Sequence, residues 1–359
     1  MLSLLIAFFA SFIATTLIIR SQKLHARISG DFDFSGPQKF HLRVVPRIGG
    51  LSICLGIYLT IAEYYLNSDS NSKGLYLALS SLPVFGIGIA EDLFKNISIR
   101  IRFLFIAFGA LMAIILLDVS IHRIDILVID YLLASSWVSV LFTIFAITGL
   151  TNAYNIIDGF NGLSSMIGMI TLMAIGYMAI QFNDPLIIFL SFTMVSAILG
   201  FFIFNYPRGL IFLGDGGAYL IGFFISILTI SLVYRHSEIS PWFAVMINAY
   251  PILETLFTMY RRIFHQGKSP GHPDGLHFHS LIFRRILNPT HLSNELEWFK
   301  ANAKTSPYLW ILSSLAIVPA IFFWQSTPIL ISFLLAFIIA YIWVYKRLVN
   351  FRTPSWMHL

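Results

Sequence analysis

The chain has 359 residues, of which 57% are hydrophobic, 16% aromatic and only 11% charged, with a formal net charge of +6. Soluble proteins carry about 25% charged residues, so this composition excludes a water-soluble globule and points to an outer surface that faces lipid. The positive excess needs no nucleic-acid partner, because cations beside anionic lipid headgroups account for it.

Eleven apolar stretches approach the length a bilayer requires, roughly 20 residues. In chain order they are Leu2–Ile19, Ile48–Ala62, Gly74–Ala90, Phe103–Leu117, Tyr131–Leu150, Leu163–Phe182, Pro185–Asn205, Ala218–Tyr234, Pro241–Tyr260, Ser306–Trp324 and Thr327–Tyr345. The expected fold is therefore all-α: a polytopic membrane protein forming one transmembrane domain over residues 1–359. Gly74–Ala90 and Phe103–Leu117 are short and need flanking residues or a thinner bilayer. The first stretch has no basic segment before it and is followed by Arg20, Lys23 and Arg27, so it reads as a retained helix with its start outside. Alternating the loops from there leaves only Lys73, Arg123 and Arg235 outside, with every other Lys and Arg inside. The positive-inside rule predicts that bias, and it sets the C-terminus in the cytoplasm; the plasma or inner membrane is the expected location. Cys54, the one cysteine, lies within the second stretch and reads as a packing residue. No convincing internal repeat is visible, which weakens an inverted-repeat transporter architecture. Asp118–Asp130 alternates apolar and polar residues and predicts a short hairpin. After Ser293, Leu296 and Phe299 recur at helical spacing among charged residues, predicting an amphipathic helix on the inner membrane face; a solvated connector is the alternative.

The residues able to do chemistry lie mostly in the inner loops, in five groups. Lys39, His41, Arg43 and Arg47 crowd the mouth of a span that opens with Gly49-Gly50. Cations suit phosphate and glycines allow close backbone approach, although positive-inside anchoring also explains the cations. Glu91-Asp92 ends the third span, where the helix dipole disfavours carboxylates, so the pair calls for a cation such as a hard divalent metal, unless it is simply solvated. Asn152, Asn155 and Asp158 are three apart and share one helix face if the fifth span continues that far. Amides and a carboxylate converging at the membrane surface suit a nucleotide or metal site. Asp215, enclosed by Gly214, Gly216 and Gly217, can face a metal–phosphate centre, or be an ordinary turn. His277 and His279, near Asp274 and followed by Arg284-Arg285, lack the Cys/His framework of a zinc site and better fit donation to phosphate or sugar oxygens. Within the spans, Glu254 is the one clear internal charge. An intramembrane carboxylate is a functional candidate by default; it can pair with a loop Arg or Lys, or snorkel, which Glu does poorly.

In their order and spacing, these groups resemble the polyprenyl-phosphate N-acetylhexosamine-1-phosphate transferases. The resemblance runs from Lys39 to Arg285. Glu91-Asp92 stands where the family has Asp-Asp, residues 152–163 match its Asn-x-x-Asn-x-x-Asp-Gly-x-Asp-Gly-Leu segment, and residues 212–217 match Phe-x-Gly-Asp-x-Gly. His277-Phe278-His279 resembles the His-x-His segment of the WecA-like branch. Two departures stand out: Glu91 replaces the first Asp of the pair, and Asn161 replaces the second Asp of the Asp-Gly-x-Asp-Gly segment, removing a carboxylate.

The resemblance implies transfer of N-acetylhexosamine-1-phosphate, with GlcNAc as the first expectation, from a UDP-sugar to undecaprenyl phosphate. UMP is released, and a cell-surface polysaccharide or other envelope glycan is initiated. It implies Mg²⁺, or alternatively Mn²⁺, as cofactor. Asp215 would be its ligand, with Asp92 and Asn155 beside it. Asp158, Asn155 and Asn152 would hold the nucleotide or the metal's water shell, and Glu91 or Asp92 would accept the proton of the lipid phosphate. His277 and His279 would meet the pyrophosphate or sugar, and Lys39, His41 and Arg47 the lipid phosphate. The expected partners are the two substrates, membrane lipid and a second copy of the chain in a homodimer. Two other classes compete: a transporter, which needs a polar path through the midplane that only Glu254 offers, and a non-catalytic scaffold relative.

Overall fold

The computed structural model describes residues 1–32, 44–67, 72–267, 269, 274–287 and 295–352. Within them, ten helices are long and apolar enough to cross a membrane: α1 (Leu2–Arg20), α3 (Gly49–Asn67), α4 (Lys73–Phe94), α5 (Ile99–Leu117), α7 (Ser136–Ile156), α8 (Leu163–Gln181), α9 (Pro185–Asn205), α10 (Gly214–Arg235), α14 (Glu295–Phe322) and α15 (Thr327–Val349). Shorter pieces are α2 (Gln22–Ser29), α6 (Leu127–Leu133), α11 (Pro241–Ile247), α12 (Ala249–Tyr260) with a π-helical turn Arg261–His265, α13 (Phe278–Arg285), and a two-stranded antiparallel ribbon of β1 (Gly30–Asp31) and β2 (Val45–Pro46). The all-α membrane architecture expected from composition is what the chain adopts.

The eleventh stretch is a broken span. Helices α11 and α12 meet at a 75° bend on Asn248. Pro251 is the local cause: its ring clashes with the carbonyl four residues back, at Ile247, but it is tolerated in the first turn of a new helix. The polar groups freed at the break are satisfied internally, as lipid demands. Asn248 is fully buried, its Nδ2 donates to the Ala244 carbonyl (3.0 Å), and its Oδ1 accepts from the Tyr154 hydroxyl (3.0 Å). The two short stretches do borrow flanking residues, α4 reaching Phe94 and α5 starting at Ile99.

Two local expectations are corrected. Asp118–Asp130 is not a hairpin: after a left-handed Asp118 the chain runs irregularly into α6, because Ser139 and Thr143 hydroxyls on α7 bond the Ile121 backbone in place of a cross-strand partner. The amphipathic segment after Ser293 is no separate interfacial helix from Glu295 onward; it forms the first turns of α14. Asn302, Thr305 and Ser306 there are buried, and Ser306 donates to the Asn161 carbonyl (2.7 Å). Asn294 lies outside the described residues.

Helix α10 is the central rod, buried almost continuously from Gly214 to Thr229 and packed on α3, α4, α7 and α8. Small residues let backbones approach closely where apolar side chains offer no advantage over lipid. A Cβ on Gly50 would collide with the Gly217 backbone, and one on Gly88 would lie 2.5 Å from the Gly216 Cα. These contacts draw the start of α3 and the end of α4 onto the start of α10. Gly50→Ala should therefore lower stability by at least the ~1–3 kcal/mol usual for overpacking, read as a fall in thermal unfolding temperature of detergent-purified protein. An unchanged transition would mean the three helices can part freely.

Candidate active site

The polar groups gather at the end of the bundle where α3, α5 and α10 begin and α4 and α7 end. The N-terminus of α10 leaves backbone N–H groups without intrahelical partners, and Asp92 supplies them from α4. The Asp215 N–H donates to Asp92 Oδ1 (2.9 Å) and the Gly216 N–H to Oδ2 (3.0 Å). Asp92 is fully buried. Gly214, at φ +76°, makes the entry, and a side chain there would strike both the Arg47 carbonyl and Asp92. Asp92, expected as a metal ligand and proton acceptor, thus has both oxygens on the α10 terminus and a fully buried side chain.

Asp215, thus placed, accepts from two arginines: Arg47 Nη2 on Oδ1 (3.1 Å) and Arg102 Nη1 on Oδ2 (2.9 Å). Arg47 also lies 3.6 Å from Asp92 and 4.0 Å from Asp31. Burial alone would lower the Arg47 pKa, but the charges of Asp92, Asp215, Asp31 and Asp158 outweigh it and hold the guanidinium charged. Asp92 and Asp215 thus come from two separate helices to one cation, and the charge of Asp158, past the end of α7, acts on the same group. Glu91 does not share Asp92's position. Its Oε2 accepts the Ile97 N–H (2.9 Å) and its Oε1 lies 4.0 Å from Arg102, so it closes the turn between α4 and α5.

Helix α7 does continue as the Asn spacing required, to Ile156, with Asp158 just past its end. Asn152, Asn155 and Asp158 are half-buried. Asn152 and Asn155 make no side-chain hydrogen bond to another described residue, whereas most buried polar groups are paired. Burial, then the nearby Asp215 charge, push the Asp158 carboxyl up to about 7 despite Arg47. Asn161 belongs to the scaffold. Its Nδ2 donates to the Pro207 carbonyl (3.3 Å) and its N–H to Asn302 Oδ1 (3.1 Å). The next N–H, of Gly162, donates to Asn205 Oδ1 (2.6 Å). A neutral amide suits that place.

The histidine segment reaches the same end. His279 Nε2 would be 2.9 Å from a Cβ on Gly159, next to Asp158. Burial and the neighbouring His277 push its pKa down to about 3, so the ring is neutral. His277 stacks on it at 5.1 Å and is held by Glu254. That carboxylate's partners are His277, the Phe278 N–H and the Tyr341 hydroxyl, not a loop Arg or Lys. Asp274 pairs with Arg261, which keeps its pKa below the usual carboxylate range although burial alone would raise it. Lys39, His41 and Arg43 lie outside the described residues.

Arg102 and Asp31 were missed as site residues. Arg102 carried a signal, a guanidinium inside the first turn of an apolar helix, but positive-inside anchoring explains that equally well. Asp31 carried none.

The donors suit a hard cation. Asp158 and Asp215 oppose each other electrostatically, and Asn155 and Asn152 precede Asp158 on the last turns of α7. Among the described residues no group of three or more His, Cys, Asp or Glu side chains is arranged to hold a metal. Mg²⁺ does not need one, since it usually takes one or two carboxylates together with waters and substrate phosphates.

Carboxylates and arginines thus meet at one end of a multi-pass membrane bundle. Residues 74–233 match the family model described as Glycosyl transferase family 4. The chain is 32% identical over 286 residues to the undecaprenyl-phosphate alpha-N-acetylglucosaminyl 1-phosphate transferase of Escherichia coli strain K12, covering 76% of this chain and 74% of that protein. It is 28% identical over 281 residues to the probable undecaprenyl-phosphate N-acetylglucosaminyl 1-phosphate transferase of Bacillus subtilis strain 168, covering 78% and 77%. A Thermotoga maritima protein, also named an undecaprenyl-phosphate alpha-N-acetylglucosaminyl 1-phosphate transferase, is 28% identical over 254 residues, covering 69% and 72%. This chain belongs to glycosyl transferase family 4.

Proposed function

We propose that the protein transfers GlcNAc-1-phosphate from UDP-GlcNAc to undecaprenyl phosphate at the cytoplasmic face of the plasma or inner membrane, and so initiates a cell-envelope glycan. One observation carries this reading: Asp215 pairs with Arg47 and Arg102, and the charge of Asp158 acts on the same Arg47, at the bundle end that collects nearly all the cations. The names of its relatives supply undecaprenyl phosphate and the N-acetylglucosaminyl 1-phosphate group; the UDP carrier follows from the family resemblance. The cation excess supports the cytoplasmic orientation.

In the reaction, an oxygen of the lipid phosphate attacks the phosphorus that bears the sugar. The bond from that phosphorus to the bridging oxygen breaks, and UMP leaves with the electron pair. A phosphate monoester's second pKa is near 6, so the attacking oxygen is largely unprotonated at neutral pH and general-base help is minor. Positioning and charge neutralisation then dominate. Mg²⁺, which Asp215 and Asp158 would hold, supplies neutralisation of the pyrophosphate oxygens when bound. Arg47 and Arg102, which meet at Asp215, would bind phosphate oxygens, for which the guanidinium fork is suited. Asn152 and Asn155 offer donors and acceptors to the nucleotide. His279, neutral and buried, can hydrogen-bond a sugar or phosphate oxygen without adding charge. Lys39 and His41 remain the proposed contacts of the lipid phosphate.

The test is UMP release by purified protein given undecaprenyl phosphate, Mg²⁺ and UDP-GlcNAc, UDP-GalNAc or a deoxy-N-acetylhexosamine donor. Release with UDP-GlcNAc that requires the lipid is expected; no release with any donor overturns the reading. A second expectation concerns pH. The Asp158 carboxyl titrates near 7 in the metal-free protein, so protons compete with Mg²⁺ below that pH. Affinity measured by calorimetry should fall by up to about tenfold per pH unit below 7 and level off above 8. Asp158→Asn should weaken binding and flatten that slope; a slope that persists in the variant would place the competing proton elsewhere.

A further inference from the structure

The chemistry proposed above leaves Glu254 unused, yet it sits well inside α12 and is 1% exposed. An ionised carboxylate so placed is costly unless donors surround it. Its Oε1 lies 3.0 Å from His277 Nδ1 and accepts the Phe278 N–H at 3.1 Å, while Oε2 accepts the Tyr341 hydroxyl at 2.8 Å. Phe278 opens α13, so one oxygen caps a short helix from outside and fixes the imidazole just before it. The Thr258 hydroxyl lies 3.3 Å from the same ring nitrogen and can accept a share of its proton. The effect extends to the site, because His277 stacks on His279 with ring planes 16° apart, and His279 abuts Gly159 beside Asp158.

We infer that Glu254 is a positioning residue of the transferase site: from inside the membrane it holds His277 with its Nδ1 proton directed at the carboxylate, leaving Nε2 to meet the sugar or phosphate oxygens of the donor. The inference rests on the proposed function for the identity of that donor. A carboxylate behind an imidazole sets which nitrogen carries the proton and stabilises the ring when it becomes charged. The α11–α12 break serves the same end, because the 75° turn carries Glu254 away from the line of a straight span and toward α13 and α15.

Glu254→Gln isolates the charge. The amide oxygen can accept from His277 and Phe278, and the amide NH₂ can donate to the Tyr341 oxygen, so the fold keeps its partners. A merely structural carboxylate predicts wild-type turnover in this variant. The inference predicts a fall in kcat of about 10–100-fold, partial recovery with Glu254→Asp, and no further loss beyond about twofold when Glu254→Gln is added to His277→Asn. Nitrogen-15 spectra of histidine-labelled intact protein, with His277 assigned through His277→Gln, read the geometry without turnover. The wild type should carry its proton on Nδ1, and Glu254→Leu should release it to Nε2. A bare Nδ1 in a wild type that releases UMP, or full turnover in Glu254→Gln, overturns this inference alone. A wild type that releases no UMP sinks the transferase reading instead.

Discussion

Asp215→Asn should lower UMP release by about 10²–10³-fold, the usual cost of removing one preorganised electrostatic group from a transition state, while the protein unfolds at nearly its original temperature. Both halves follow from the geometry. Asp215 is the carboxylate on which Arg47 and Arg102 meet, and it faces Asp158 closely enough to raise that group's pKa. Its charge organises every other charge at the site. The two arginines nevertheless have second partners, Arg47 in Asp92 and Arg102 in Glu91, so neither becomes an unpaired buried cation. Steady-state assays and a thermal scan of the same preparation test the prediction. Turnover within tenfold of wild type would remove Asp215 from the chemistry.

Asp92→Asn should behave differently, losing stability and activity together. Its two oxygens accept two buried backbone N–H groups at the head of α10. An amide has one oxygen, so its NH₂ must confront an N–H. Hydrogen bonds to a charged acceptor contribute about 1.5–3 kcal/mol each, and an orphaned buried donor costs about 1–3 kcal/mol. The expected loss is several kcal/mol, visible as a clear fall in unfolding temperature, with turnover lost because Asp215 is no longer held. A variant that melts like the wild type but does not turn over would show that Asp92 acts in the reaction and not through α10. The contrast between adjacent links of one chain of contacts, Asp92 to the helix terminus to Asp215, is what makes the pair informative.

The same contrast separates what could be read along the chain from what could not. Composition and the length of apolar runs sufficed for the membrane class and for ten of the spans, because a bilayer imposes one strong and local constraint on every segment that crosses it. The loop cations marked the end of the bundle that holds the site. The spacing of Asn152 and Asn155 was legible as one face of a helix because helical periodicity is itself local, whereas Asp158 falls past the end of α7. Asn161 in place of an acid was visible as a departure, but its role in tying residues 205–209 and α14 to the site loop was not. The partners of Arg47 and Arg102, the turning of Asp92 toward α10, and the pairing of Glu254 with His277 and not a loop cation were decided by tertiary structure. Each is a contact between residues far apart in the chain, set by how closely glycines let α3, α4 and α10 approach and by a bend at Asn248. A residue's type tells which interactions it can make; which one it makes, when several acids and bases compete within a few ångströms, depends on the packing that brings them there.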